Sequence, residues 1–319
     1  MNYKKIILYI VIFIICLSFI YWISHIKHIN LTSGHQPFTS ISSGVIYDGD
    51  NIWIANTYQN SISKFTLATT TPSSINLLTK FTSGAPLQLL SVGAYIWASD
   101  YESGYVNKIN KDSGSIEASI IVGSAPMGMA FDGTNIWVCN YGSSSCSVIS
   151  QSSNTVIETI KVGSGPTCVL FDGTNIWISS SLSGNVYISD PTSLQLVTTL
   201  TVGKNPYRMT TMGGYVYVLD VSDSSVYKLN TETILEQLTQ QSFVKCNDIV
   251  NDGTYLYISS LDSNVYKLSV NNVMPSSFGS GLNSIDYIQL IKDIVIVIST
   301  QQFEIYNKDR FRFISSGNI

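Results

Sequence analysis

Apolar and polar positions alternate with period two in short stretches that recur down most of the chain, and Gly, Pro and Asp-Gly pairs reset the alternation at regular intervals. Period two marks a half-buried strand, and Asp-Gly between two such runs marks a hairpin turn that tolerates positive φ. In one unit the pattern predicts strands over about 127–131, 136–139, 146–150 and 155–161, with Asp132-Gly133 turning the first pair. Forty residues later the unit returns: Phe131-Asp132-Gly133-Thr134-Asn135-Ile136-Trp137 reappears as Phe171-Asp172-Gly173-Thr174-Asn175-Ile176-Trp177.

The large aromatic of the second strand fixes the register of the other units. Its equivalents are Trp53, Trp97, Trp137, Trp177, Tyr217 and Tyr257, with Val295 in a seventh, degenerate copy, so the steps are 44, 40, 40, 40, 40 and 38. Units are joined by Val122-Gly123-x-x-Pro126, Val162-Gly163-x-x-Pro166 and Val202-Gly203-x-x-Pro206, with Gly84 and Pro86 a shortened form. A four-stranded unit cannot bury both of its faces, so such units must stack and close into a ring. A period of about 40 to 45 residues signals propeller blades. The expected fold is therefore all-β, a seven-bladed β-propeller of four-stranded blades over residues 38–319, and the recurring aromatic is expected to pack between blades.

Ahead of the repeats lies a different pattern. Residues 6–23 are an apolar run broken only by Ser18 and by Tyr9, Tyr21 and Trp22. At 18 residues it is long enough to span a bilayer as a helix, which takes roughly 17 to 25. Lys4 and Lys5 precede it, so the positive-inside bias puts the N-terminus in the cytoplasm and the propeller outside. Residues 1–25 are expected to be a transmembrane signal-anchor and 26–37 a juxtamembrane linker. A cleaved signal peptide needs small residues at its cleavage site, and Trp22-Ile23-Ser24-His25-Ile26 offers none; cleavage would make the protein secreted. Cys16 follows Ile14-Ile15, which does not suit a lipoprotein site. Asn30-Leu31-Thr32 is a glycosylation sequon.

Charge and cysteine usage narrow the function. Charged residues are 12% of the chain, about half the usual share. Three of the 17 bases and none of the 21 acids fall within residues 1–47, which leaves −7 on the repeats. A nucleic-acid partner needs a basic patch, so that class is set aside. The five cysteines form no Cys-x-x-Cys pair, and no histidine follows His35, so no zinc site is spelled out. Cys139 and Cys146 flank a hairpin, which leaves a disulfide and two unpaired thiols both open; Cys168 and Cys246 read as small core residues.

The combination of Phe-Asp-Gly, Ile-Trp-Val or Tyr-Val-Tyr-Val, a short polar hairpin and Val-Gly-x-x-Pro resembles the YVTN and NHL-type propellers, including the virginiamycin B lyase-like group. The resemblance covers nearly the whole chain after residue 38. It implies the propeller fold and little about activity, because such propellers host lyases, lactonases, cell-surface proteins and interaction platforms. The lyase subgroup is similar in using histidine and glutamate with a divalent metal. Here His25, His28 and His35 all precede the first repeat, so no residue inherits those histidine roles.

Two columns carry the candidate sites. Nine residues before each register aromatic, in the strand expected to line the channel, stand Gly44, Gln88, Gly128, Cys168, Arg208, Asp248 and Asp286. Arg208 between two carboxylates predicts a charge-assisted network, and Gln88, Arg208, Asp248 and Asp286 are the candidate ligand groups of the channel mouth. Three residues after the aromatic, Asn56, Asp100, Asn140, Ser180, Asp220 and Ser260 are expected to cap turns. With Tyr58, Tyr101, Tyr141 and Tyr207 beside them, Asn56, Asp100, Asn140 and Asp220 make the loop face a candidate binding surface. No Gly-x-Ser-x-Gly elbow, phosphate loop or His-Glu-x-x-His motif occurs. The sequence reads as a membrane-anchored, non-catalytic module for a protein or glycan, with no cofactor. The alternative is a metal-dependent propeller lyase or lactonase using Asp248, Asp286, Asn247 and Gln88.

Overall fold

The computed structural model describes residues 44–57, 60–66, 76–80, 85–230, 234–238, 245–269, 272–279, 285, 287–291, 294–298, 302–307 and 312–318. The apolar run 6–23, the linker, Asn30, Tyr58 and Asp286 lie outside these. Among the described residues no helix is long and apolar enough to cross a membrane.

The described strands form seven four-stranded antiparallel sheets, each made from one continuous stretch of chain with its strands in sequence order. The third sheet consists of Pro126–Phe131, Asn135–Asn140, Ser145–Ser150 and Thr155–Lys161, within a residue of the bounds expected from alternation. Pro86, Pro126, Pro166 and Pro206 each open the first strand of a sheet, where the missing N–H interrupts no ladder. The last sheet is completed by its own outer strand, Arg312–Asn318. First strands of successive sheets lie side by side, from Val45–Tyr47 round to Tyr287–Ile291, and this last strand lies against the first. The sheets therefore follow one another around a closed ring.

The six register aromatics and Val295 are buried. Trp137 packs with Cys139 and Val148 of its own sheet and Val169, Ile176 and Ile178 of the next. Tyr217 meets Cys246, Ile249, Leu256 and Ile258 in the same way. An aromatic side chain buries ~150 to 250 Å², which at ~25 cal/mol per Å² stabilises each inter-sheet layer by about 4 to 6 kcal/mol, an upper bound for an extended unfolded chain.

The Asp-Gly turn and this aromatic are one device. Asp132 Oδ1 accepts the backbone N–H groups of Thr134 and Asn135, both at 2.7 Å, while its Oδ2 accepts the indole N–H of Trp137 at 2.7 Å. Asp48 serves Trp53 and Asp172 serves Trp177 in the same manner, and Asp252 accepts the hydroxyl of Tyr257 at 3.0 Å. One carboxylate thus sets the turn and satisfies the only polar atom of a buried ring. In the second and fifth sheets Val92 and Met212 replace the aspartate, and tighter turns at Gly93-Ala94 and Gly213-Gly214 rely on glycine φ values of 56°, 62° and 79°. There the indole N–H of Trp97 has no hydrogen-bond partner, and the Lys108 ammonium sits 5.4 Å from the ring centroid.

Candidate functional site

The inner strands shape the channel. In the second to sixth sheets the register between first and second strands slips by one residue, so that Leu87-Gln88, Met127-Gly128, Thr167-Cys168, Tyr207-Arg208 and Asn247-Asp248 each oppose a single residue. Such a bulge bends the strand and re-aims its side chains at the ring opening. The small residues of the channel column allow close approach. A Cβ on Gly44 would lie 2.8 Å from the Cα of Gln88, and one on Gly128 would lie 2.6 Å from the carbonyl oxygen of Thr167.

Strand pairing corrects the channel column in the seventh sheet. Tyr257 pairs with Val250, seven residues back, and in the last sheet the residue that pairs seven back is Ile296, with Gln289, while its neighbours Val295 and Val297 pack on Tyr257 as Leu256 and Ile258 pack on Tyr217. The register position of the last sheet is therefore Ile296 and not Val295, and the position equivalent to Asp248 is Tyr287, which pairs with Ile298 as Asp248 pairs with Ser259, and not Asp286. The expected arginine between two acids therefore reduces, among the described residues, to a pair.

That pair forms. Arg208 Nε is 3.9 Å from Asp248 Oδ1, with the side chains 11% and 7% exposed. Asp248 also accepts two backbone N–H groups, Ile249 on Oδ1 at 3.0 Å and Ile288 on Oδ2 at 3.2 Å, which ties the sixth sheet to the seventh. The Arg208 guanidinium carbon lies 5.3 Å from the centroid of the Tyr207 ring. Burial pushes the Asp248 carboxyl up to about 6, while Arg208 and the two amides pull the other way. Burial also raises the Cys168 thiol, with Arg208 opposing it, so Cys168 is held as a thiol and not as a nucleophilic thiolate. Gln88, on the other side of the ring, uses its Oε1 to accept the backbone N–H of Met129 at 3.2 Å.

On the loop face the polar column turns inward. Asn56, Asp100, Asn140 and Asp220 are all buried. Asp220 accepts the amides of Lys204 and Asn205 on Oδ2, at 2.6 and 2.7 Å, and that of Ser222 on Oδ1 at 2.8 Å. Asp100 accepts Ala85 N–H at 2.8 Å and Ser103 N–H at 3.3 Å. Asn56 donates to Ser61 and Ser63, and Asn140 to Ser145 and Ser147. These side chains lock hairpins and inter-sheet connections. The residues that follow them sit on loops held by backbone bonds: the N–H of Tyr101 donates to the carbonyl of Ala85, that of Tyr141 to Ala125, of Ser181 to Gly165 and of Leu261 to Lys245.

Among polar residues such as Glu102, Lys204 and Asp223, this face exposes two leucines. Leu182 is 63% exposed and Leu261 42%. Tyr101, Tyr141 and Tyr207 are half-buried. Tyr141 of the third sheet and Leu182 of the fourth meet over Gly165, where a Cβ would come within 2.7 Å of Leu182 Cγ and 3.1 Å of Tyr141 Cε2. Neither leucine stands out in the sequence; the signal for them is their place one or two residues after the capping position of their units. Among the described residues no group of three His, Cys, Asp or Glu side chains is placed to hold a metal ion.

The chain is similar in structure to virginiamycin B lyase from Staphylococcus aureus, with a TM-score of 0.71 at 14% identity over 81% of this chain and 91% of that one. It is similar to a streptogramin B lyase, with a TM-score of 0.71 at 13% identity over 83% and 94%. The fold is a β-propeller. The computationally designed Ika8 protein also matches the propeller, with a TM-score of 0.70 at 12% identity over 91% and 90%. No family model and no curated protein matches this propeller in sequence. At these identities the likeness shows the fold alone.

Proposed function

We propose that the chain is a seven-bladed β-propeller, held to a membrane by residues 6–23, whose loop face is a docking surface for a protein or glycan outside the cytoplasm. Two exposed leucines beside half-buried tyrosines, set among polar residues, carry the reading. The acids and amides of the capping column, Asn56, Asp100, Asn140 and Asp220, are drawn into turns, while Leu182 and Leu261 are left at the surface, and exposed apolar groups on a rigid scaffold mark recognition sites.

The activity of the two lyases suggests a second reading, a metal-dependent enzyme. The residues fit it poorly. No histidine follows His35, and Asp248, the buried channel carboxylate, already accepts two amides and faces the cation of Arg208. A guanidinium stands where a metal ion would need open donors.

The test uses the full chain recovered from its host's membrane fraction and cross-linked to its neighbours. Leu182→Asp and Leu261→Asp should each lose the cross-linked partner while melting at the wild-type temperature. Unchanged cross-linking in both variants overturns the docking face. N-terminal sequencing of the same material should begin at the N-terminus, and a start near residue 25 would overturn the anchor in favour of a secreted protein.

A further inference from the structure

We propose that Cys139 and Cys146 are the site of a covalent modification, an intramolecular disulfide that staples the second and third strands of the third sheet. The two residues are direct partners in the antiparallel register. Directly opposed residues in such a ladder have Cα atoms about 4.5 to 5.5 Å apart, inside the range of roughly 4.4 to 6.8 Å that a disulfide spans. Directly opposed residues of an antiparallel ladder carry their side chains on the same face of the sheet, so the two thiols face each other. Both are fully buried as free thiols, in a cluster with Trp137, Val148, Val169 and Ile178.

The other sheets supply an internal control. The equivalent cross-strand pairs are Ala55 with Ile62, Ser99 with Val106, Ser179 with Val186, Leu219 with Val226, Ser259 with Val265, and Ile298 with Phe303. Val or Ile holds the third-strand position in five of these six. Cysteine enters either position in one sheet alone, and there it enters both. A core that needed only a small apolar residue gives no reason for the two substitutions to coincide.

The chemistry is thiol–disulfide exchange with a disulfide donor, either oxidised glutathione or a disulfide-carrying oxidoreductase. One cysteine thiolate attacks the donor's S–S bond to give a mixed disulfide and release one donor thiol. The second thiolate then displaces the other donor sulfur. The pair loses two electrons and two protons, and the donor is reduced to two thiols. Burial holds the Cys139 thiol above its ordinary range, which disfavours exchange in the closed ring. The bond is therefore made as the hairpin folds and is shielded once the neighbouring sheet packs over it.

Full-length protein, exported by its host and quenched with acid, would be unfolded and alkylated, and its labels counted by mass spectrometry with peptide mapping. The chain has five cysteines, so three labels are expected, with residues 139 and 146 unlabelled, rising to five after reduction with dithiothreitol. Five labels without reduction, or protection of any other cysteine, overturns the proposal. Melting gives a second readout. Dithiothreitol present during refolding should lower the melting temperature of the wild type by several degrees and leave the Cys139→Ser, Cys146→Ser double variant unmoved. An equal effect on both proteins overturns the proposal as well.

Discussion

Asp132 illustrates how much a single side chain carries in this ring. Replacing it with alanine removes the acceptor for two turn amides and leaves the buried indole N–H of Trp137 without a partner. An orphaned buried donor costs about 1 to 3 kcal/mol, so Asp132→Ala should lower stability in denaturant unfolding by that amount. Asn, which keeps one acceptor, should fall between. The bond itself is tested by a double-mutant cycle. Trp137→Phe, which deletes the donor, should cost about 1 kcal/mol less in the Asp132→Ala background than alone, and strict additivity would show that the two residues act independently. Trp97, which lacks this bond, shows that a unit survives without it when its turn is rebuilt around glycine.

At the scale of the strand, the bulge after each inner proline decides which side chains meet. It sets Arg208 against Asp248, and it turns their pairing into a pH dependence. An unfolded aspartate titrates near 3.9, whereas Asp248 in the fold titrates near 6. The folded state therefore holds this proton more tightly. Its stabilising effect is complete below about pH 4 and is lost as pH rises through about 6, a change of roughly 3 kcal/mol. Melting curves should fall over that window in the wild type, and Asp248→Asn should flatten them. Arg208→Ala strips the carboxylate of its cation, which typically costs ~3 to 5 kcal/mol at pH 7.5 and less at pH 5, where Asp248 becomes neutral. Combining it with Asp248→Asn should restore much of the loss; no rescue would mean that the pair is not what holds the fifth and sixth sheets together. The same scale explains what was legible beforehand. The recurring Trp or Tyr fixed six units because large buried rings tolerate few substitutes, and the fourth-strand bounds 155–161 matched to the residue. Asp286 was misplaced in the channel column because the seventh copy has no aromatic to fix its register, and counting from Val295 instead of its neighbour Ile296 shifts the column by one residue from Tyr287. The inward turn of Asn56, Asp100, Asn140 and Asp220 was foreseeable as capping, but Leu182 and Leu261 were not, since an isolated leucine in a loop carries no periodicity.

For the whole molecule the decisive fact is that neighbouring sheets are held face to face by side chains. The last sheet contributes Ile285, Ile288, Val295 and Val297 to a cluster with Tyr257 and Val265 of the sixth. Ending the chain at residue 280 removes those partners, and it bares the flank of the first sheet as well, because the first and last inner strands adjoin. Such a chain should self-associate in size-exclusion chromatography and lose its single cooperative unfolding transition. A monomer that melts like the full-length protein would show that the ring does not need its final sheet.

Because each sheet is one contiguous segment, the gene is modular in a strict arithmetical sense. A duplication or deletion spanning one period, wherever it begins, leaves every remaining sheet whole and changes only the circumference of the ring. Residues 131–137 and 171–177 differ at no position, which is what one such copying step leaves behind.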